Sequence, residues 1–182
     1  GDLMADSVPL SVTDRAERVK LMIFDVDGVL TDGGLRYGPE GELIKTFHVL
    51  DGHGIKLLQQ NGVKTAIISA RESPIVARRA ADLGISVLLQ GVHDKRSAFE
   101  RTANEANLPH EACGFMGDDV IDLPVMTRVG FAASVPNGHP EVIRRAHYVA
   151  RVGGGQGAVR EVCDLILRAQ GRYEAALAPY LT

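Results

Sequence analysis

The sequence predicts an α/β fold, a parallel sheet with helices on both faces, and three observations point to it. Short apolar runs such as Leu21-Met22-Ile23-Phe24 and Val63-Lys64-Thr65-Ala66-Ile67-Ile68-Ser69 alternate with segments of helical length, the pattern of βαβ units. The runs end in polar residues or glycine (Asp25, Ser69, Gly117), where open parallel sheets bind ligands. Finally, 182 residues without repeat or linker suit one well-buried unit, residues 1–182.

Each element has its own justification. Leu21 to Phe24 is continuous apolar sequence, as a strand buried on both faces requires. Residues 31–47 break the alternation. Leu35-Arg36-Tyr37, the glycine-rich turn Gly38-Pro39-Glu40-Gly41 and Glu42-Leu43-Ile44-Lys45-Thr46-Phe47 predict an inserted β-hairpin. A helix over Gly54 to Gln60 stops at Asn61-Gly62 and launches the strand Val63 to Ser69. Ser73 as N-cap, Pro74 at the first helical position and Gly84 beyond the end bound a helix over Pro74 to Leu83. A strand at Ile85–Leu89 and a helix at Lys95–Ala106, capped by Asp94, follow. Next come a strand at Ala112–Met116, a helix at Asp122–Arg128 and a strand at Val129–Ala132. The helix Pro140–Ala146 and an amphipathic helix over Val159–Ala169 complete the pattern. Gly171 to Thr182 reads as a flexible tail, and Gly1–Leu3, ahead of Met4, as a remnant of cloning.

Composition excludes several functions. A formal charge of −3 is no footprint for nucleic acid. No apolar run approaches the roughly 20 residues that span a bilayer, and no leader is recognisable, so a cytoplasmic protein is expected. Cys113 and Cys163 lie in apolar surroundings without metal-type spacing and read as buried free thiols. His48 and His53 lack the spacing of a zinc pair. Val152-Gly153-Gly154-Gly155-Gln156-Gly157-Ala158-Val159 lacks a P-loop lysine. It reads as a mobile turn leading to a helix N-terminus, with an anion contact there as a secondary role.

Four polar signals fall where strands end or helices begin: Asp25 with Asp27, Ser69, Lys95, and Gly117-Asp118-Asp119 with Asp122. Right-handed crossovers would gather them on one sheet edge. Two carboxylates one residue apart are costly unless a cation or shared proton offsets them. Taken singly they are bland: acids cap turns, a strand-end serine caps, and a lysine solvates. Together they suit a hard cation held by oxygens, with Mg²⁺ the natural choice, and a phosphoryl group met by Ser69 and Lys95. One carboxylate would attack phosphorus and another would handle protons.

These residues resemble the haloacid dehalogenase superfamily, whose four motifs appear as Asp25-Val26-Asp27-Gly28-Val29, Ser69, Lys95 and Gly117-Asp118-Asp119-Val120-Ile121-Asp122. The resemblance runs from about Lys20 to Ala169 and implies a Rossmann-like sheet. It also implies that Asp25 is the nucleophile and Asp27 the acid and base. Mg²⁺ would be held by the Asp25 side chain, the Asp27 backbone carbonyl and Asp118. Asp119 and Asp122 would orient the metal's surroundings or nearby loops. About 25 residues separate Ser69 from Lys95, so the chain is read as capless, with pocket walls drawn from a neighbouring subunit.

Among capless members it is similar to the phosphatases of 3-deoxy-D-manno-octulosonate 8-phosphate. The residues concerned are Lys45 to Lys56, Ile67-Ile68-Ser69-Ala70-Arg71 with Arg79, and Gly117 to Met126. Ser69-Ala70-Arg71 stands where that family typically has Thr-Gly-Arg; serine keeps the hydroxyl. The resemblance implies a homotetramer packed through its hairpins, with the tail reaching a neighbour's pocket. It also implies a sugar-acid phosphate bound by Asp27, His48, Val49, Leu50, Asp51, Gly52, Lys56, Arg71, Arg79 and Lys95. Arginine suits the carboxylate of such a substrate because its planar fork binds two oxygens. The bland reading of Arg71 and Arg79 is solvated helix surface, and without the resemblance it is the favoured one for Arg79. A nonulosonate 9-phosphate fits the same motifs. A non-catalytic binding module would be expected to lack Asp25 or Asp27. A phosphoacceptor receiver domain would carry its acceptor in mid-chain, and here Asp25 lies in the first strand.

Overall fold

In the computed structural model, which describes residues 10–182, six parallel strands form one sheet in the order β5-β4-β1-β6-β7-β8. The strands are β1 (Leu21–Phe24), β4 (Lys64–Ile68), β5 (Val87–Leu89), β6 (Cys113–Met116), β7 (Phe131–Ser134) and β8 (Tyr148–Val149). The hairpin, β2 (Arg36–Gly38) with β3 (Gly41–Ile44), stands apart as a two-stranded antiparallel sheet. Gly1–Leu3 lie outside the described residues.

Alternation along the strands decides which helix packs where. Met22 and Phe24 of β1 point into one core, with α1 (Val12–Glu17), α2 (Val49–Gln60), α3 (Pro74–Leu83) and α7 (Ala158–Ala169). Leu21 and Ile23 point into the other, with α4 (Lys95–Glu105), α5 (Leu123–Met126) and α6 (Pro140–Arg145). Successive strand side chains face opposite ways, so an unbroken apolar run serves two cores at once. Among the described residues, no second globular unit separates Ser69 from Lys95.

The caps read from sequence are present. Ser73 Oγ accepts from the Ile75 amide, Asp94 Oδ1 from the Ser97 amide, and Gly84 takes the left-handed conformation that ends α3. Three features differ from the sequence reading. α1 and β8 are additional, both too short to show a period. The tail contains α8 (Tyr173–Leu177), with Tyr173 against Arg168 and Tyr180 edge-on to His53. α2 begins at Val49, five residues before the expected start.

Gly52 and Gly54 hide that early start, because glycine is a poor helix former. Tertiary packing explains them. A Cβ on Gly52 would lie 2.4 Å from Arg79 Nη2, and one on Gly54 2.9 Å from Arg160 Cδ and 3.1 Å from Cys163 Cβ. The glycines let α2 approach α3 and α7. Gly54→Val is therefore expected to lower stability by about 1–3 kcal/mol through overpacking. Urea unfolding should show this as a lower midpoint with an unchanged slope.

Candidate active site

Asp25 follows β1 directly, its amide donating to the Met116 carbonyl of β6 at 3.0 Å, so its side chain emerges at the C-terminal edge of the sheet. Ser69 follows β4, and its amide donates to Leu89 O at 2.9 Å. Asp118 follows β6, while Lys95 opens α4 and reaches back over the edge. Asp25, Asp27, Ser69, Arg71 and Asp118 line one cavity of about 240 Å³. Gly33 and Leu35 at the base of the hairpin, with Ile121, add walls that sequence reasoning did not assign, and Asp119 also lines the cavity.

Lys95 sets the electrostatics. Its Nζ donates to Asp25 Oδ1 at 3.1 Å and to Asp122 Oδ1 at 2.6 Å, with the lysine side chain only 1 % exposed. Burial works to lower the Lys95 pKa, but the two carboxylates outweigh it and raise it. The other oxygen of Asp122 accepts from the amides of Asp118 and Asp119, at 3.0 and 3.2 Å. Asp122 thus braces both the lysine and the Asp118 loop, leaving neither of its oxygens without a partner.

Asp25, Asp118 and Asp122 bring carboxylate oxygens within 4.8 Å of one another. Burial, then the charge of Asp122, pushes Asp25 up to about 6 despite the opposing pull of Lys95. Burial, then Asp25, pushes Asp118 up to about 8. Since Asp122 is committed, Asp25 and Asp118 form the available pair. Two crowded hard-oxygen donors at a cavity wall fit Mg²⁺. The Asp27 side chain is absent from this cluster. Gly28 keeps the loop close to it: with φ at +89°, a Cβ there would fall 1.8 Å from Asp118 Oδ2.

Asp27 instead faces the hairpin. Lys45 Nζ donates to Asp27 Oδ1 at 2.7 Å and to Glu42 Oε2 at 3.1 Å. Arg71 lies 3.5 Å from both Asp27 Oδ2 and Glu42 Oε2, and its Nη2 donates to the Tyr37 hydroxyl at 3.2 Å. Glu42, Lys45 and Tyr37 were missed from sequence. Nothing in a strand's period marks them, because only the folding of the hairpin over the β1 edge brings them there.

The other candidate residues lie elsewhere. His48 caps α2, its Nδ1 accepting from the Leu50 amide at 3.1 Å, while Val49 and Leu50 are exposed. Lys56 is exposed on α2. Arg79 stacks on Phe47, 5.6 Å from the ring centroid, and covers Gly52. Asp51 is buried, with Oδ1 accepting from the Arg160 amide at 2.9 Å, and burial raises its pKa. None of these seven residues, His48 to Gly52, Lys56 and Arg79, lines the cavity. The glycine turn is a brace: Gly154 packs against the carbonyls of Gly28 and Thr31, and Asn137 ties Gly154 N to Gly28 O. Asp51 occupies the α7 N-terminus, the place expected to take an anion.

Residues 84–159 match the family of haloacid dehalogenase-like hydrolases. The chain is 45% identical over 169 residues to the 3-deoxy-D-manno-octulosonate 8-phosphate phosphatase of Escherichia coli K12, covering 93% of this chain and 90% of that one. The chain belongs to this phosphatase family. Solved relatives agree over most of the chain. The Moraxella catarrhalis phosphatase, in complex with magnesium ion, phosphate ion and KDO, superposes with a TM-score of 0.90 at 41% identity, covering 93% of this chain and 97% of that one. The cobalt-bound Haemophilus influenzae phosphatase superposes with a TM-score of 0.86 at 42% identity, covering 88% and 94%.

The crowded pair has a consequence for metal-free protein. Folded Asp25 and Asp118 keep protons up to about 6 and about 8, whereas an unfolded chain releases them near pH 4. Between these limits the folded state binds more protons, so its stability falls as pH rises. In EDTA, the melting temperature should drop between about pH 4 and about pH 8. Asp118→Asn should flatten the drop, and added Mg²⁺ should restore most stability at the alkaline end.

Proposed function

We propose that this protein is a Mg²⁺-dependent phosphatase that hydrolyses 3-deoxy-D-manno-octulosonate 8-phosphate to the free sugar acid and phosphate, supplying a lipopolysaccharide precursor. The observation that carries the reading is Asp25 at the cavity wall, held by Lys95 and facing Asp118. Its support from relatives is the 45% identity to a phosphatase of that substrate. A cytoplasmic location is part of the reading, and no helix among the described residues is long and apolar enough to cross a membrane.

In this mechanism Asp25 attacks phosphorus and forms an aspartyl phosphate as the P–O bond to the sugar breaks. Asp27 gives a proton to the departing alcohol oxygen, then takes one from the water that attacks the phosphoaspartate. Ser69 and Lys95 hold phosphoryl oxygens, and Lys95 offsets charge on the transferring group. Mg²⁺, held by Asp25, Asp118 and the Asp27 carbonyl, would neutralise phosphoryl charge and position the group for in-line attack. Arg71, at the cavity rim, meets the substrate carboxylate.

His48 to Gly52, Lys56 and Arg79 do not line the cavity of their own chain, so a role for them in holding the sugar needs a second copy. The hairpin supports such an assembly: Tyr37, Leu43 and Ile44 are each more than half exposed, and an uncovered apolar ribbon favours association. A homotetramer joined through its hairpins is the reading adopted. Ile44→Glu should lower the assembly state measured by light scattering, and sugar-phosphate turnover should fall with it.

The function is tested by phosphate release from a panel of sugar phosphates. Strong preference for the eight-carbon ulosonate is expected, abolished by EDTA and reduced at least about a thousandfold in Asp25→Asn. Preference for a nonulosonate 9-phosphate would keep the mechanism and change the substrate.

A further inference from the structure

Lys45 is the most thoroughly buried member of the hairpin's ion network, its side chain only 2 % exposed. Lysines are rarely buried unless paired, because desolvating an ammonium is costly. Lys45 Nζ lies between two carboxylates, Asp27 Oδ1 at 2.7 Å and Glu42 Oε2 at 3.1 Å. Arg71 closes the ring on the far side at 3.5 Å from each. Charges therefore alternate around four residues, two of them supplied by the hairpin. The two oxygens of Asp27 are inequivalent. Oδ1 accepts the short lysine bond, whereas Oδ2 faces Arg71 Nε, a nitrogen that makes no hydrogen bond.

We propose that Lys45 is a positioning residue for Asp27, with Glu42 holding the lysine in place. By engaging Oδ1, Lys45 turns the carboxyl away from the crowded Asp25 and Asp118 and presents Oδ2 to the cavity. Once Oδ2 has taken up a proton from solvent in the cavity, it is the atom that delivers that proton to the bridging oxygen as the alcohol leaves. The hairpin thus reaches into the chemistry of its own chain as well as carrying the apolar face described above. The proposal rests on reading Asp27 as the acid and base.

The test exploits leaving groups. Protonation matters most for a poor leaving group such as a sugar alcohol and least for an acidic phenol. kcat/KM includes steps only as far as alcohol departure, so the later hydrolysis of phosphoaspartate does not mask the effect. The Mg²⁺-loaded full chain is assayed with a graded series of aryl phosphates and the sugar-acid phosphate, as wild type, Lys45→Met, Lys45→Arg, Glu42→Gln and Asp27→Asn. Lys45→Met is expected to steepen the dependence of kcat/KM on leaving-group pKa. The loss should run from under about threefold for the best phenol to about a hundredfold for the sugar. Lys45→Arg should recover much of it, and Glu42→Gln should show the same trend more weakly, which keeps the test decisive if Lys45→Met does not fold. An equal loss across the series, or none, overturns the proposal when Asp27→Asn itself steepens the dependence. If Asp27→Asn leaves the dependence unchanged, the acid–base reading falls and the proposal falls with it.

Discussion

Carboxylates crowded at the end of a buried sheet would repel one another, and the Lys95 ammonium is the protein's own offset. It spans Asp25 and Asp122 at 3.1 and 2.6 Å in a setting with almost no solvent. Removing one partner of a buried ion pair typically costs about 3–5 kcal/mol, because the other charge is stranded. Everything at the site inherits this constraint. Asp122 keeps Lys95 in place and simultaneously folds the Asp118 loop through two amides. Asp25 and Asp118 are left with more negative charge than one lysine balances. Burial first, and that imbalance second, raise their pKa values, and a divalent cation relieves the imbalance.

A second layer of support surrounds this centre. The loop carrying Asp27 and Gly28 is clasped from below by Gly154 and Asn137, so the glycine turn that might be mistaken for a nucleotide loop is scaffold. From above, the hairpin brings Glu42 and Lys45 to Asp27, and Tyr37 to Arg71. In the proposed mechanism the nucleophile and the acid are held by different parts of the chain, Asp25 by Lys95 of α4 and Asp27 by Lys45 of the hairpin. That division fits their different tasks. As proposed, Asp25 stays fixed and ionised for in-line attack, whereas Asp27 presents one oxygen to two successive proton transfers.

How much of this was readable beforehand depended on the range of the forces involved. The strands β1, β4 and β6 were legible because burial on both faces demands unbroken apolar runs, and α3 because Ser73, Pro74 and Gly84 mark its ends. The first five residues of α2 were hidden by Gly52 and Gly54, whose value lies in contacts with α3 and α7 rather than in local propensity. α8 escaped notice because it is one short turn stabilised by packing on α7. In the site, Asp25, Ser69, Lys95 and Asp118 announced themselves as polar residues at strand ends and a helix start. Lys45 and Glu42 were assigned only to the hairpin strand, with no place in the site.

The sequence by itself determined the sheet, the edge at which chemistry occurs and the residue types gathered there. Strand burial and crossover handedness act through local pattern, and leave one sheet edge where every C-terminus meets. Only the tertiary structure decided how those residues divide their labour. It commits Asp122 to Lys95, Asp51 to the start of α7 and Asp27 to Lys45. Such pairings join residues up to 109 positions apart. A carboxylate's partner is set by which loop folds over it, and no local period records that.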